Sequence, residues 1–236
     1  MLIDAPEIVY PSSDGKRMAD NTLQFRWIVM IEGGLESVFL NDPNVFVAGD
    51  LLWYPVQGEP KICAAPDAMV AIGRPKGDRR SYKQWEEADI APQVVFEVLS
   101  LSNDAWEMEE KRMFYEEHGV AEYYLYDPYQ HKLAGWRRQR DELRRIWQVH
   151  GWISPLLKIR FEVHDELEIF GPDGARFLKY TELIEDRNRQ QQRTEQEKQR
   201  AEQEKQRAEH AEQRYSELLA QLQRRGIEPE GLPPAE

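Results

Sequence analysis

Residues 93–100 read QVVFEVLS, and the fold turns on this stretch. Val94, Val95, Phe96, Val98 and Leu99 make an apolar run of the kind that fills a strand covered on both faces, yet one carboxylate, Glu97, interrupts it. A carboxylate buried without a partner costs several kcal/mol. The run therefore predicts a central strand with a cation beside Glu97, the alternatives being an arginine partner or an edge strand that turns Glu97 to solvent.

Upstream, VFVAGDLLWYP from Val45 and DAMVAIG from Asp67 are rich in β-branched and aromatic residues and bounded by Pro and Gly, which predicts two further strands. Before them, Leu23, Trp27, Ile28 and Ile31 recur at helical spacing, predicting a helix over about residues 20–33 with Asp20 or Asn21 as cap and Gly33-Gly34 as stop. Downstream, Asn103 and Asp104 can cap WEMEEKRMFYEEHG, which ends at Gly119, and EYYLYDP from Glu122 reads as a strand. The order is αβββαβ. KLAGWRR, ELRRIWQV, LLKIRFEV and ELEIFGPDG then predict a meander of short strands that extends or covers the sheet. EQEKQRA occurs at 195–201 and again at 202–208, a seven-residue repeat that predicts a long helix. Its seam carries about one apolar residue per heptad, where strong coiled coils carry two. A solvated helix is expected, with weak self-association near Tyr215–Leu222. The expected divisions are a lead over 1–18, a domain over 19–185, the charged helix over 186–225 and a disordered tail over 226–236.

Composition narrows the function classes. Cys63 is the single cysteine, so neither an intramolecular disulfide nor a cysteine zinc cluster can form. The N-terminal stretch has no basic region leading an apolar one, and no run reaches the ~18 apolar residues of a membrane span. A cytoplasmic protein with no membrane partner is expected. The net charge of −12 argues against coating nucleic acid by bulk electrostatics but not against a nuclease, whose site is itself acidic and acquires positive charge from divalent ions. The five histidines show no zinc spacing and the serines no G-x-S-x-G elbow.

Three residues make a constellation. Asp67 and Glu97 fall on neighbouring predicted strands, and Lys111 shares a helix face with Asp104, Met108 and Tyr115; Glu107, four residues before Lys111, offers it a plain surface pair instead. Two hard oxygen ligands and an ammonium suit metal-assisted phosphodiester cleavage with Mg²⁺ or Mn²⁺. Asp50 can reach the same metals from the first strand, although a bulge or turn at Gly49-Asp50 competes. Gln24 can reach the site from the first helix, with a helix-surface role as its alternative. The loop GRPKGDRRSY concentrates Arg74, Lys76, Arg79 and Arg80, natural partners for backbone phosphate.

APDAMVAIG, PQVVFEVLS, the lysine of EEKRMFY and GVAEYYLYDP resemble the bacterial Uma-type restriction-endonuclease family of the PD-(D/E)XK nuclease superfamily, over about residues 19–165. The resemblance implies an α/β fold with the restriction-endonuclease-like αβββαβ core and a mixed sheet, Asp67 and Glu97 as metal ligands, and Glu107 as a neighbour that orients the lysine. The superfamily's usual lysine, two residues after the glutamate, is here Leu99, so the pattern is the migrated one in which Lys111 takes over. The implied activity is a metal-dependent endonuclease acting on DNA, or on RNA; separately, a homodimer with a weak coiled-coil contribution from the C-terminal helix is the candidate assembly. The competing expectation is a catalytically weak nuclease-fold module that binds nucleic acid or protein and assembles through its C-terminal helix.

Overall fold

Asn21 starts the first helix, α1 (Thr22–Val38), by accepting the Leu23 and Gln24 amides at 3.0 Å. The helix does not stop at Gly33-Gly34. Gly34 packs against the Phe177 ring so tightly that a Cβ there would lie 2.1 Å from Phe177 Cδ2, whereas nothing lies within 4 Å of a Cβ on Gly33. The second glycine thus admits a neighbouring chain segment, and the pair is not a helix terminator. The computed structural model describes residues 8–15 and 17–226; the tail expected beyond Gly226 and the first seven residues of the lead lie outside them.

The chain continues as β1 (Val45–Ala48), β2 (Trp53–Tyr54), β3 (Ala68–Ile72), β4 (Tyr82–Lys83), β5 (Val94–Val98), α2 (Ala105–Glu117), β6 (Glu122–Asp127), β7 (Lys132–Gln139), β8 (Glu142–Ile146), β9 (Arg160–Val163), β10 (Leu167–Phe170) and α3 (Tyr180–Arg224). Six strands form one mixed sheet in the order β1-β3-β5-β6-β7-β8, in which only the β5–β6 pair is parallel. That pair needs a crossover, and α2 supplies it. The predicted first strand breaks after Ala48: Asp50 has φ 49° and its amide bonds Pro66 O at 3.0 Å. The predicted meander divides, since β7 and β8 extend the sheet while β9 and β10 make a separate two-stranded sheet.

Alternation along β5 assigns the two cores. Val94, Phe96 and Val98 join Trp27, Ile31 and Leu35 of α1, together with Phe161 and Ile169 from the small sheet. Val95 faces the other way, toward Met69, Tyr115 and Tyr123 beneath α2. Residue 97 shares this second face.

The described residues part into two compact units between Tyr180 and Thr181. The helix α3, nearly all of it in the second, is 45 residues long with no buried residue, about 68 Å at 1.5 Å per residue. Pairs at i,i+4 line it, Gln199 to Glu195 at 3.2 Å and Lys205 with Glu209 at 3.9 Å. Among the described residues no helix is long and apolar enough to cross a membrane.

The glycine pair offers a direct check of the packing. Gly33→Ala is expected to stabilise the fold by about 0.5–1 kcal/mol through helix propensity. Gly34→Ala is expected to destabilise it by about 1–3 kcal/mol through overpacking against Phe177. Urea unfolding midpoints of the two variants measure the difference.

Candidate active site

The β3–β5 ladder pairs Ala68 with Phe96 and Met69 with Val95; extended by one residue, it sets Asp67 opposite Glu97. Asp67 Oδ2 accepts the Val98 amide at 2.7 Å, so the side chain bridges to the neighbouring strand at the point where β3 begins. Both carboxylates are buried, Glu97 at 2% exposure and Asp67 at 8%. The edge-strand alternative for Glu97 is therefore excluded.

From α2, Lys111 Nζ donates to Glu97 Oε2 at 2.8 Å, and the Tyr115 hydroxyl, one helical turn further on, donates to Glu97 Oε1. Lys111 thus bonds Glu97, while Glu107 accepts from the Asn103 side chain at 2.9 Å and acts on Lys111 through its charge alone. Burial pulls the Lys111 ammonium's pKa down, but Glu97, Asp67 and Glu107 outweigh it and hold the group protonated. Burial, reinforced by the Glu97 charge, lifts the Asp67 carboxyl well above the usual carboxylate range, against the opposing effects of Lys111 and the Val98 amide. Burial and then Glu97 likewise push the Tyr115 phenol well up.

A cavity of about 560 Å³ opens at this group, with Asp50, Asp67, Lys111 and Gln24 among its walls and Glu97 outside its lining. Burial and then Asp14 raise the Asp50 carboxyl, with Glu97 adding and Lys111 opposing. Asp50, Asp67 and Glu97 do not bring three ligand oxygens within 4.8 Å of one another. Gln24 is not a surface residue: its Nε2 donates to Val98 O at 2.9 Å and its Oε1 accepts the Asp20 amide at 2.9 Å. It fixes the end of β5 to the start of α1. Ser100 strengthens that joint by donating to Asp20 Oδ2 at 2.6 Å.

Leu99 continues the strand, its amide bonded to Tyr126 O at 2.8 Å, and lies in a hollow with Met108, Leu125 and Trp136. The basic loop is not at the cavity. Arg74 Nε and Arg79 Nε bind the two oxygens of Glu87 at 2.8 and 2.6 Å, and Lys76 Nζ binds Glu36 at 2.7 Å; Arg80 is exposed. The loop leaves the far end of β3, some six residues or about 20 Å of strand from Asp67.

Spacing rules missed one cluster. His150, Glu162 and His164 bring ligand atoms within 4.8 Å of one another across a loop and a strand. His150 Nδ1 accepts the Val163 amide at 3.1 Å and its Nε2 lies 3.3 Å from Glu162 Oε2. Tyr115 and Asn103 were also missed as partners of Glu97 and Glu107. For Tyr115 the available signal was its place four residues after Lys111.

Two measurements test these contacts. Tyr115→Phe removes a donor from a buried carboxylate and is expected to cost about 1–3 kcal/mol. Tyr123→Phe removes a buried hydroxyl that has no hydrogen-bond partner among the described residues and is expected to be neutral or stabilising; chemical denaturation of both variants gives the comparison. Glu87 supplies a pH test. Burial raises its carboxyl, but hydrogen bonds from Arg79 and Arg74 prevail and hold it below the usual carboxylate range. A depressed folded-state pKa stabilises above the unfolded value, and the contribution disappears as pH falls through the folded one. Glu87→Gln is therefore expected to lower the thermal midpoint at neutral pH and to converge with wild type in acid.

Residues 33–161 match the Uma2 family, described as "Putative restriction endonuclease". No curated protein matches the chain. Among solved structures it is similar to "a putative nuclease belonging to DUF820 from Anabaena variabilis ATCC 29413", at 16% sequence identity and a TM-score of 0.42, covering 57% of this chain and 72% of that chain. The family match spans more than half of the chain and takes in Asp67, Glu97 and Lys111, and the chain belongs to the Uma2 restriction-endonuclease family.

Proposed function

We propose that the chain is a metal-dependent endonuclease of the PD-(D/E)XK type that hydrolyses phosphodiester bonds of DNA, with Asp67, Glu97 and Lys111 as its catalytic set. The observation that carries this reading is the charge imbalance of a buried site: two carboxylates from adjacent strands share one ammonium. Asp67 Oδ1 receives no hydrogen bond among the described residues. Oxygen donors with unmet negative charge, at the wall of an open cavity, fit Mg²⁺ or Mn²⁺. Asp67 and Glu97 would hold the ion, with Asp50 on the cavity wall as a further acidic group. A bound divalent ion supplies charge stabilisation at the phosphoryl oxygens and a more acidic water.

The chain's own residues do the positioning. Val98 fixes one oxygen of Asp67, Tyr115 fixes one oxygen of Glu97, and Lys111 holds a proton-bearing ammonium at the cavity wall. There it orients the attacking water or offsets charge as the phosphorus–oxygen bond breaks. Glu107 supports the protonated state of Lys111. A non-catalytic module is the second reading, favoured by the apolar hollow around Leu99. We further infer weak self-association of α3 near Tyr215 and Leu222, where apolar residues recur.

Nuclease assays across DNA and RNA forms with Mg²⁺, Mn²⁺ or EDTA test the reading, beside calorimetric titration of divalent ion into wild type and Glu97→Ala. Metal-dependent cleavage and loss of ion binding in the variant are expected. Lys111→Ala should lower turnover about 10² to 10⁴-fold while sparing the fold. Leu99→Lys in that background should restore part of it, because residue 99 shares the strand face of Glu97. Full activity in Lys111→Ala would put the non-catalytic reading first.

A further inference from the structure

The β7–β8 hairpin and its flanks read WRRQRDELRRIW over residues 136–147, five arginines against two acids in a chain of net charge −12. The fold employs one of the five: Arg138 donates to the Val120 carbonyl at 2.8 Å and to the Asp141 carbonyl at 3.0 Å. Arg137 and Arg144 stand directly opposite each other in the β7–β8 register, an arrangement of like charges that costs stability. Arg144 has only Glu142 as ion partner, both side chains being more than 60% exposed, where such a pair contributes little. Arg145 lies over the Trp136 ring at 5.2 Å. Neither Arg137 nor Arg145 has a carboxylate partner among the described residues.

Arg137 and Arg144 share one face of the hairpin and line a surface hollow of about 510 Å³ with Trp147, His150 and Trp152, and no acidic residue lines it; Arg145, opposite Trp136 in the register, turns to the other face. The metal-site cavity has the opposite character, with Asp14, Asp20, Asp50, Asp67, Glu107 and Glu110 on its walls. Trp147 is 90% exposed, so its indole does nothing for the core. Charged groups on an edge strand discourage strand-to-strand aggregation, but that role does not call for an exposed tryptophan. β8 is the outer strand, three spacings or about 14 Å from β5.

We propose that this hollow is an anchoring site for single-stranded nucleic acid, with Arg137 and Arg144 on the sugar–phosphate backbone and Trp147 stacked on a base. Guanidinium groups beside an exposed aromatic are what a sequence-tolerant strand contact requires: charge for the backbone and a flat apolar face for any base. The loop carrying Arg74, Lys76 and Arg79 cannot take this part while Glu87 and Glu36 occupy it. The proposal rests on the nucleic-acid reading of the chain but not on turnover, because the anchor lies outside the catalytic set.

The test is equilibrium binding of fluorescein-labelled oligothymidylate by the full chain in EDTA, followed by anisotropy over a range of salt. Arg137→Gln with Arg144→Gln is expected to weaken binding about tenfold or more and to flatten the dependence of log K on log salt by roughly 0.7 for each phosphate no longer neutralised. Trp147→Ala is expected to weaken it by about tenfold. Arg193→Gln, an exposed arginine on α3, should stay within about twofold of wild type, and no variant should melt below wild type. Wild-type affinity in the hairpin variants overturns the proposal, as does equal competition by polyglutamate. Undiminished affinity for a blunt duplex combined with no effect of Trp147→Ala overturns the single-strand assignment. Hairpin-dependent binding without any cleavage in Mg²⁺ or Mn²⁺ supports the anchor and sinks the nuclease reading, whereas cleavage with hairpin-independent binding does the reverse.

Discussion

Glu97 sits where a carboxylate is least welcome, in the middle of a sheet and under a helix, and the surrounding architecture answers that cost. One oxygen takes the Tyr115 hydroxyl and the other the Lys111 ammonium, both from α2. The helix can present them together because residues four apart share one face. It lies over β5 because β5 and β6 are parallel and need a crossover. Topology, helix register and electrostatics are thus tied to a single side chain.

A second buried carboxylate clarifies the first. Glu122 is as deeply placed as Glu97, but Tyr124 Oη at 2.8 Å, the Leu156 amide at 3.1 Å and Ser154 hold both of its oxygens. Those neutral partners fasten the 152–157 loop to the sheet. At Glu122 the protein completes the hydrogen bonding itself. At Asp67 and Glu97 one ammonium faces two buried carboxylates, and Asp67 lies at the wall of a cavity. That contrast separates a structural acid from one built to meet something else.

Much of this was legible in the sequence because it is local or periodic. The apolar run around Glu97, the Asp104 cap of α2 and the 100° steps that bring Lys111 and Tyr115 to one face need only near neighbours. What escaped depends on the chain meeting itself over long separations. Gly33-Gly34 reads as a stop unless Phe177 is known to lie against it. Gln24 reads as surface until Val98, 74 residues away, claims its amide. Arg74 and Arg79 read as free charge until Glu87 folds back onto them. The pairing of Arg137 with Arg144 is set by the hairpin register, and their shared hollow also draws on the chain around His150 and Trp152.

The seat of the lysine bears on motion. A lysine on the same strand as its glutamate has its backbone held in the central ladder, which opens only on the scale of global unfolding. Lys111 instead rides on the crossover helix, with a side chain 28% exposed at the cavity wall. A rotamer change, on the picosecond-to-nanosecond scale for exposed side chains, or a brief opening of α2 can withdraw the ammonium while β3 and β5 stay paired. The two buried carboxylates and their counter-charge therefore belong to segments that can open separately, so the ammonium can leave Glu97 without loosening the sheet beneath it.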